Sequence, residues 1–492
     1  MKIKLSEILD LLEPLAIKGN IGGIVIEDFT DNSREVPLGS LFFAIKGEVN
    51  DGHNFLPDIE NKVSAAVVEH LVDNVNCIQI VVNSSKMAYL KLLQLKHNVF
   101  LSDFSFIGIT GTNGKTTFTY LMESILKSCG RKPAVIGTVN YRYYDYLLDA
   151  PNTTPDLKNL IPIFGEFKKR GCLDIVMEVS SHALVQRRLE GVKFDAVSFS
   201  NLTPEHLDYH KDMEDYYNAK KLLFTNYLHQ NSIAVINIDD SYGRRLFNEL
   251  NFHKKFGFSF KDKGNFQCRI LEEKDDFMLI ELFDGSKRHV VKTELKGRFN
   301  AYNVATAYIT AFLMGYDEEK IKKGIFSLKR VPGRLEEVKN ELGIKVFVDY
   351  AHTPDALTNI LKTARELTEK RLILVFGCGG DRDRTKRPLM GKIACDYADI
   401  IVITSDNPRS EEPMSIIEDI KRGLVGDKKV IIQPDREKAI FEAICSARKN
   451  DTIIIAGKGH EDYQIIGNKK NHFSDVEIAK KAMEKRRCLE QH

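Results

Sequence analysis

The stretch GITGTNGKTTF, residues 108–118, holds the residue types that a phosphate group requires. Gly111 and Gly114 let the backbone fold tightly around Thr112 and Asn113, so that consecutive N–H groups of the loop can face phosphate oxygens. Lys115 supplies positive charge for the β- and γ-phosphates, and the hydroxyl of Thr116, followed by Thr117, suits Mg²⁺. The full P-loop spacing asks for glycine at 109, where Ile109 stands, so the match is to a shorter variant, GxxGK[ST]. Glu178 ends the apolar run DIVMEV, where a metal-holding carboxylate beside such a loop belongs. In EHLDYH (205–210), His206 and His210 are four apart and would share one helical face, a zinc-like spacing. The metalloprotease pattern needs Glu at 207, however, and Leu207 is there. One Mg²⁺ ligand from this stretch suits the phosphate loop better.

Other candidates say less by themselves. Lys220, in YYNAKKLLF, reads as an exposed helix lysine. FGCGGDRD (376–383) lacks GxGxxG spacing and does not read as a dinucleotide site. AGKGHE (456–461) offers glycine amides to an anion. TSDNPRSEEP (404–413) breaks the run Ile400 to Ile403 and crowds Asp406, Arg409, Glu411 and Glu412 around Pro408 and Pro413. Taken alone it is a charged, solvated turn.

Apolar strands must position these residues. Residues 1 to about 100 mix short strands (GGIVIEDF, SLFFAI, SAAVVEH, CIQIVVN) with helix-like sequence ending in SKMAYLKLLQLKHN. From 103, the strand DFSFIGITG opens a second series with AVIGTV, DIVMEV, DAVSFS and SIAVINI, separated by helix-length segments. That alternation predicts a parallel α/β sheet. Residues 250–295 alternate more and suggest a small antiparallel insert. Past Pro332-Gly333 the pattern restarts with KVFVDY, RLILVFG, DIIVITS, KVIIQP and DTIIIAG, a Rossmann-like series. In such sheets ligands collect beyond the carboxyl ends of the strands, where SDNPRSEEP lies. The expected organisation is α/β throughout: a mixed α/β domain at 1–102, a central P-loop ATPase-type parallel sheet at 103–332 and a Rossmann-like domain at 333–492.

Bulk properties agree. A chain of 492 residues is too long for one core. It is 43% hydrophobic and 28% charged, with net charge +2 and dispersed basic residues, which leaves no footprint for nucleic acid. The basic tail KKAMEKRR reads as the solvated face of a last helix. No run suits a membrane span, and the N-terminus lacks a signal-peptide pattern. Among eight cysteines the closest pair, Cys378 and Cys395, is 17 apart, so there is no CxxC motif. A reducing, cytoplasmic setting follows.

In chain order, NSREVPLGSLFFAIKG, DGHNF, GTNGKTT, NTTPD, MEVSSHALVQRR, NLTPEHLDYH, AKKLLF, GRFNAYNVATA, PGRLE, VDYAHTPDAL, GCGGDRDRTKRPLMG, DNPR and GKGHEDYQ span nearly the whole chain. Together they resemble the ATP-dependent Mur ligases, which add amino acids to the peptidoglycan precursor, and within them the members that add the third residue. The resemblance implies a monomeric enzyme with an N-terminal domain for the uridine nucleotide, a central ATPase and a C-terminal domain for the incoming amino acid. ATP would phosphorylate the D-glutamyl carboxylate of UDP-N-acetylmuramoyl-L-alanyl-D-glutamate, and an amine would attack the acyl phosphate. Carried over by motif, Ser33 contacts the uridine nucleotide, and Asn152, Thr153, Thr154, Ser180, Gln186 and Arg188 hold the muramoyl-dipeptide. Gly111 to Thr117 hold the ATP phosphates, with Asn300, Arg334 and Asp349 contacting ATP from two sides of a junction hinged near 333. Thr116, Glu178 and His206 surround Mg²⁺, and the family carbamylates the lysine matching Lys220 to make a second metal ligand. Lys115, Lys220, His206 and Glu178 form the catalytic group.

One departure is Asn32, where the family usually has Asp. For the amino acid, Arg382, Asp406, Asn407, Pro408, Arg409, Gly457 and Glu461 match the family's contacts. Arg409 offers a fork for carboxylate and Asp406 an acid for ammonium, chemistry that fits the zwitterionic end of meso-diaminopimelate better than the bare ammonium of lysine. The rival readings are a lysine-adding ligase, a folylpolyglutamate synthetase, which usually reads GTNGKGS and lacks the N-terminal sequence, and a nucleotide-binding protein without ligation chemistry.

Overall fold

A computed structural model describes residues 2–47, 50–252, 254–274 and 276–490, with side chains to residue 488. The chain forms two compact units, residues 1–106, 154–175 and 182–193 in the first and 107–153, 176–181 and 194–492 in the second.

In the first unit, short apolar runs form a five-stranded sheet in the order Ala16–Lys18, Ile78–Val81, Val63–Val68, Ser40–Phe43, Phe29–Thr30. All neighbours are parallel except the first pair. Phe42, Ala44, Leu56, Ala66 and Val68 make its core. The helix Ser85–His97 starts where Ser84 accepts a hydrogen bond from the Met87 N–H, and stops at Asn98, φ 48, a left-handed position that Asn tolerates. Leu157–Lys169 is the second long helix of this unit.

The second unit holds two sheets. In the larger, Phe194–Phe199 pairs in parallel with Ser105–Thr110 and Leu228–Asn237, and Lys255–Ser259 follows in parallel. The residues expected to form a separate insert instead extend this sheet. Phe266–Glu273, Met278–Phe283 and Arg288–Thr293 are antiparallel to one another, but the first pairs with Lys255–Ser259. The helix Arg298–Leu313 is buried along most of its length and packs in one cluster with Phe118, Leu121 and Ile125 of the helix Lys115–Ser128. Its buried Thr306 and Thr310 hydroxyls donate to carbonyls one turn back, at 2.7 Å each, so their burial leaves no unpaired polar group.

The smaller sheet forms from the five expected strands, all parallel: Lys345–Asp349, Leu372–Phe376, Ile400–Ile403, Lys429–Ile432 and Thr452–Ala456. The last strand lies between the first two, and Glu336–Glu337 adds an antiparallel edge. Side chains alternate between two apolar layers. Phe347, Leu374, Ile401 and Ile454 face one, while Val346, Ile373, Val402 and Ile453 face the other. Helices therefore cover both faces, as a parallel sheet requires.

One buried ion pair ties the carboxyl ends of this sheet together. Arg436 donates to Asp475 from Nε at 2.8 Å and Nη2 at 2.7 Å, with both side chains fully buried. The guanidinium also donates to the carbonyls of Ser405, just past one strand, and Ala456, at the end of another. Asp475→Ala would strand the guanidinium and should cost about 3–5 kcal/mol, read as a lower urea midpoint of the second unit. The double variant Arg436→Met/Asp475→Leu should lose less. A single variant as stable as the parent would refute this.

Candidate active site

The strand Ser105–Thr110 runs into the glycine loop, which closes on the helix beginning at Lys115. Gly111 and Gly114 have φ of 147° and 89°. A Cβ on Gly111 would overlap Ser200 Oγ, and one on Gly114 would overlap Asn303 Oδ1. Glycine is therefore demanded by both backbone and space. The neighbouring strand's end fixes the loop: the Thr112 and Asn113 N–H groups donate to Asn201 O and Oδ1, each at 2.9 Å, and Ser200 Oγ donates to Asn113 O at 2.6 Å. Thr116 and Thr117 are buried at the helix start.

Two lysines meet on one carbonyl. Lys115 Nζ donates to Gly111 O at 2.8 Å and Thr112 O at 2.7 Å, while Lys220 Nζ donates to the same Gly111 O at 2.9 Å. Lys220 is not the exposed helix lysine its neighbours suggested; it is buried, with its ammonium 4.6 Å above the Tyr216 ring. Burial, and then the nearby Lys115 charge, pull its pKa well below the usual lysine range against the opposing pull of Glu205. The pKa of Lys115 is also lowered by burial, with Glu205 and Glu178 opposing.

Glu178 is buried beside the loop. Its carboxylate accepts from the Thr138 N–H and hydroxyl at 3.0 Å each, and from the Thr116 hydroxyl at 3.2 Å. A hydroxyl and a carboxylate oxygen this close are the hard donors that Mg²⁺ takes, with nucleotide phosphates and water completing its shell. His206 and His210 are not on a helix; they belong to a turn in which His206 has φ 58°. His210 uses both ring nitrogens, toward Ser181 Oγ at 2.8 Å and Asp215 Oδ2 at 3.3 Å. The zinc-pair reading is thereby removed. His206, with its side chain 42% exposed, lies 3.8 Å from Glu205. Glu205 itself escaped the motif reading. Burial disfavours its charge, but the His352 hydrogen bond and the charges of His206, His352 and Lys115 outweigh this and hold it well below the usual carboxylate range.

Side chains from beyond residue 333 reach the loop. Arg334 leaves a turn closed by its N–H donating to Val331 O, and its Nη2 donates to Thr116 Oγ1 at 3.1 Å. Its guanidinium covers the Tyr350 ring at 4.8 Å, and its Nε is buried without a hydrogen-bond partner. An orphaned cationic donor beside a phosphate loop fits an anionic oxygen. Asp349 accepts from the N–H groups of Leu335 and Ala351 at 2.6 and 2.8 Å, and burial raises its pKa. Asp355, which sits in the motif VDYAHTPDAL without an assigned role, accepts from Asn113 Nδ2 at 2.8 Å. Asn300 donates to Lys296 O and accepts from Asn303. Asn300 and Arg334 both line a cavity of about 730 Å³ rich in lysine and arginine, including Lys292, Lys296, Lys329 and Arg330.

In the same unit, the loop after Ile403 is built by side chains as much as by prolines. Asn407 Nδ2 donates to Glu461 Oε2 at 2.9 Å, and its Oδ1 accepts from the Ile465 N–H at 2.9 Å. Gln464 Nε2 donates to Asp406 O at 2.7 Å. Arg409, at φ 53°, is pinned by main-chain bonds to Ile465 and Gly467 and sends Nη1 to Gly380 O at 2.7 Å. Arg382 is exposed nearby; a Cβ on Gly379 would lie 3.0 Å from Arg409 Nη1 and 3.7 Å from Arg382 Cγ. Gly457, φ 118°, faces Asp406, whose Oδ2 would lie 3.3 Å from an added Cβ. The carbonyl of Pro408 lies where a Cβ on Gly380 would fall. Glu411 serves the loop itself, accepting from buried Arg387 at 2.8 and 2.9 Å.

The remaining expected residues divide between the units. In the second, Asn152 O accepts from the Tyr141 hydroxyl, Thr153 Oγ1 lies 3.0 Å from Thr138 Oγ1, and Ser180 is half-buried after the strand Asp174–Glu178. In the first, Arg188 joins Gln186 Oε1 at 2.8 Å to the carbonyl of buried Thr154 at 2.9 Å. Gln186 lines a cavity of about 490 Å³ with Asp31, Lys46, Lys86, Tyr89 and Lys158. Ser33 sits in the turn after Asp31, and Asn32 Oδ1 accepts from the Arg34 N–H at 3.1 Å, a capping role that Asp would fill equally.

Comparison with known proteins places this geometry. Residues 109–311 match the Mur ligase middle domain, and residues 333–459 match the Mur ligase, glutamate ligase domain. The chain is 43% identical over 469 residues to the UDP-N-acetylmuramoyl-L-alanyl-D-glutamate–2,6-diaminopimelate ligase of Aquifex aeolicus, covering 94% of this chain and 95% of that one. It is 40% identical over 491 residues to the protein of the same name from Clostridioides difficile, covering 98% and 100%. A solved structure of a UDP-N-acetylmuramoyl-L-alanyl-D-glutamate–2,6-diaminopimelate ligase aligns over 99% of this chain and 100% of its own at a TM-score of 0.70 and 31% identity. Relatives of equal length, matched nearly end to end through both the glycine loop and the Arg409 loop, leave one conclusion: the chain belongs to the Mur ligase family.

Proposed function

We propose that this Mur ligase joins meso-2,6-diaminopimelate to UDP-N-acetylmuramoyl-L-alanyl-D-glutamate at the expense of ATP, as a cytoplasmic, monomeric enzyme of peptidoglycan precursor synthesis. The observation that carries the reading is that the loop holding Asp406 and Arg409, tied to Glu461 through Asn407, lies at strand ends in the same compact unit as the phosphate loop. Residues 1–102 serve the uridine nucleotide, with Ser33 as a contact. Residues 103–332 serve ATP and 333–492 the amino acid.

A carboxylate is a poor electrophile until one oxygen becomes phosphate. The D-glutamyl oxygen takes the γ-phosphoryl group, ADP leaves, the amine nitrogen attacks the carbonyl carbon, and phosphate departs with the C–O bond as the nitrogen loses a proton. Phosphoryl transfer needs mainly positioning and charge neutralisation. Gly111 to Thr117 cradle the phosphates, Lys115 and Arg334 neutralise them, and Asn300 and Asp349 hold the rest of the nucleotide. Thr116, Glu178 and His206 would hold Mg²⁺, which supplies further neutralisation. Asn152, Thr153, Thr154, Ser180, Gln186 and Arg188 orient the acceptor peptide. Arg382 and Arg409 take the far carboxylate of diaminopimelate, while Asp406, Asn407 and Glu461 take its ammonium, against the backbone of Pro408 and Gly457. The low pKa of Lys220 raises the fraction of free amine that can add to CO₂, with loss of a proton, and so turn a cation into a carboxylate-like ligand.

Phosphate release should require both the UDP-muramoyl-dipeptide and diaminopimelate; no release with any such acceptor and amino acid would sink the reading. Arg409→Ala should weaken diaminopimelate use by about 2–5 kcal/mol in kcat/KM and leave ATP binding intact, and equal use of lysine by the unaltered enzyme would overturn the assigned specificity. Gly111→Ala should lower nucleotide affinity at least about tenfold, since a β-carbon cannot fit beside Ser200 Oγ; unchanged titration with a fluorescent ATP analogue would contradict it. Enzyme equilibrated with ¹³C-bicarbonate should show a carbamate carbon resonance that Lys220→Ala lacks, growing as pH rises because only the free amine reacts.

A further inference from the structure

Lys458 has no role in the reading so far, yet it is fully buried at the centre of the amino-acid loop, with 0% of its surface exposed. Its Nζ lies 2.9 Å from Glu461 Oε2, 3.2 Å from Asn407 Oδ1 and 3.6 Å from Asp406 Oδ1. The same Asp406 oxygen is buried and receives no hydrogen bond. An ammonium is thus already installed between the two carboxylates that an incoming ammonium would use. Two further buried cations close by are matched elsewhere, Arg436 by Asp475 and Arg387 by Glu411 and Asp419. Lys458 is therefore paired with both of the acids assigned to the ligand's ammonium.

That pairing has a direction. A zwitterionic end, carboxylate and ammonium together, adds no net charge and gives its carboxylate to the arginines. A bare ammonium meets two carboxylates that a buried cation already occupies, and it brings no carboxylate for the arginines. Specific sites discriminate by repulsion of the wrong ligand as well as attraction of the right one.

We infer that Lys458 is the specificity-determining residue that rejects amino acids ending in a bare ammonium, by holding a fixed positive charge against Asp406 and Glu461. It touches no reacting atom. The inference rests on the proposed diaminopimelate ligase activity and deepens it.

The test uses three amino acids with the full-length enzyme: meso-diaminopimelate, lysine and norleucine, which keeps the lysine chain without its charge. Diaminopimelate-dependent phosphate release by the unaltered enzyme establishes the underlying activity; its absence would remove that reading and not this one alone. Given that activity, the unaltered enzyme should use norleucine at least as efficiently as lysine, because the charge is what is refused. A clear preference for lysine over norleucine would overturn the inference without any variant. Lys458→Met should lower the diaminopimelate-to-lysine ratio of kcat/KM at least tenfold and reverse the norleucine–lysine order, with the KM for ATP unchanged. Lys458→Arg keeps the charge and should keep the ratio within about threefold of the parent even where its rate falls. Equal loss of discrimination in both variants, or none in Lys458→Met, would assign the residue to packing.

Discussion

Two ammonium groups on one backbone carbonyl set the terms for the whole nucleotide site. Gly111 O accepts from Lys115 and Lys220 at 2.8 and 2.9 Å, and neither charge is at ease there. Like charges so close raise each other's cost, and burial adds to it. An anion drawn between them, or conversion of Lys220 to a carbamate, relieves both at once. Gly111 can present its carbonyl this way only because it has no side chain against Ser200. Lys115 meanwhile spends its donors on its own loop, so phosphate binding must exchange those bonds for new ones. The site thus carries an electrostatic cost that a bound anion removes.

The same loop is joined to the sheet that carries Arg409. Arg334 reaches Thr116, Asn113 reaches Asp355, and Glu205 faces His352 at 3.4 Å. Each contact pairs a residue of the central fold with one beyond residue 333. Phosphoryl transfer to a carboxylate oxygen and amine attack on its carbon act on one carboxyl group, so the groups serving each must share a frame. These polar contacts, few and individually modest, supply a frame that can still exchange ligands.

What could be read from the chain in advance follows from how local each feature is. GTNGKTT is legible because a tight turn, a lysine and a hydroxyl must be neighbours in sequence to do their work. The five strands past residue 345 are legible because burial on both faces leaves continuous apolar runs. Residues 250–295 read as a small antiparallel insert; the three strands from Phe266 to Thr293 are antiparallel to one another, but Lys255–Ser259 pairs in parallel on both sides and joins them to the central sheet, a pairing no local pattern encodes. Lys220, Asp355, Asn303 and Arg436 are single polar residues on helices, and nothing in their neighbours distinguishes a buried partner from a solvated one. Lys220 became visible only through family likeness, and Asn303 only through the absence of a side chain at Gly114. The zinc-like spacing of His206 and His210, already weakened by Leu207, implies a shared face only on a helix, and φ 58° at His206 rules one out.

The loop TSDNPRSEEP shows why a charged turn can be more than solvated. Its prolines limit the backbone, but they do not determine where Arg409 points. That is determined by main-chain bonds to the hairpin strand Tyr463–Ile466, by Asn407 locked to Glu461, and by Glu411 clamped on Arg387. Arg409 is held at φ 53°, a conformation that costs a β-carbon residue roughly 1 kcal/mol or more and that glycine would take freely. A guanidinium at such a position implies that its charge is worth more than the strain, since any residue could close a turn but only arginine offers a planar fork. Lys458, buried beneath, then gives the fork's acidic neighbours a bias, so that the loop recognises a pair of opposite charges rather than a single positive one.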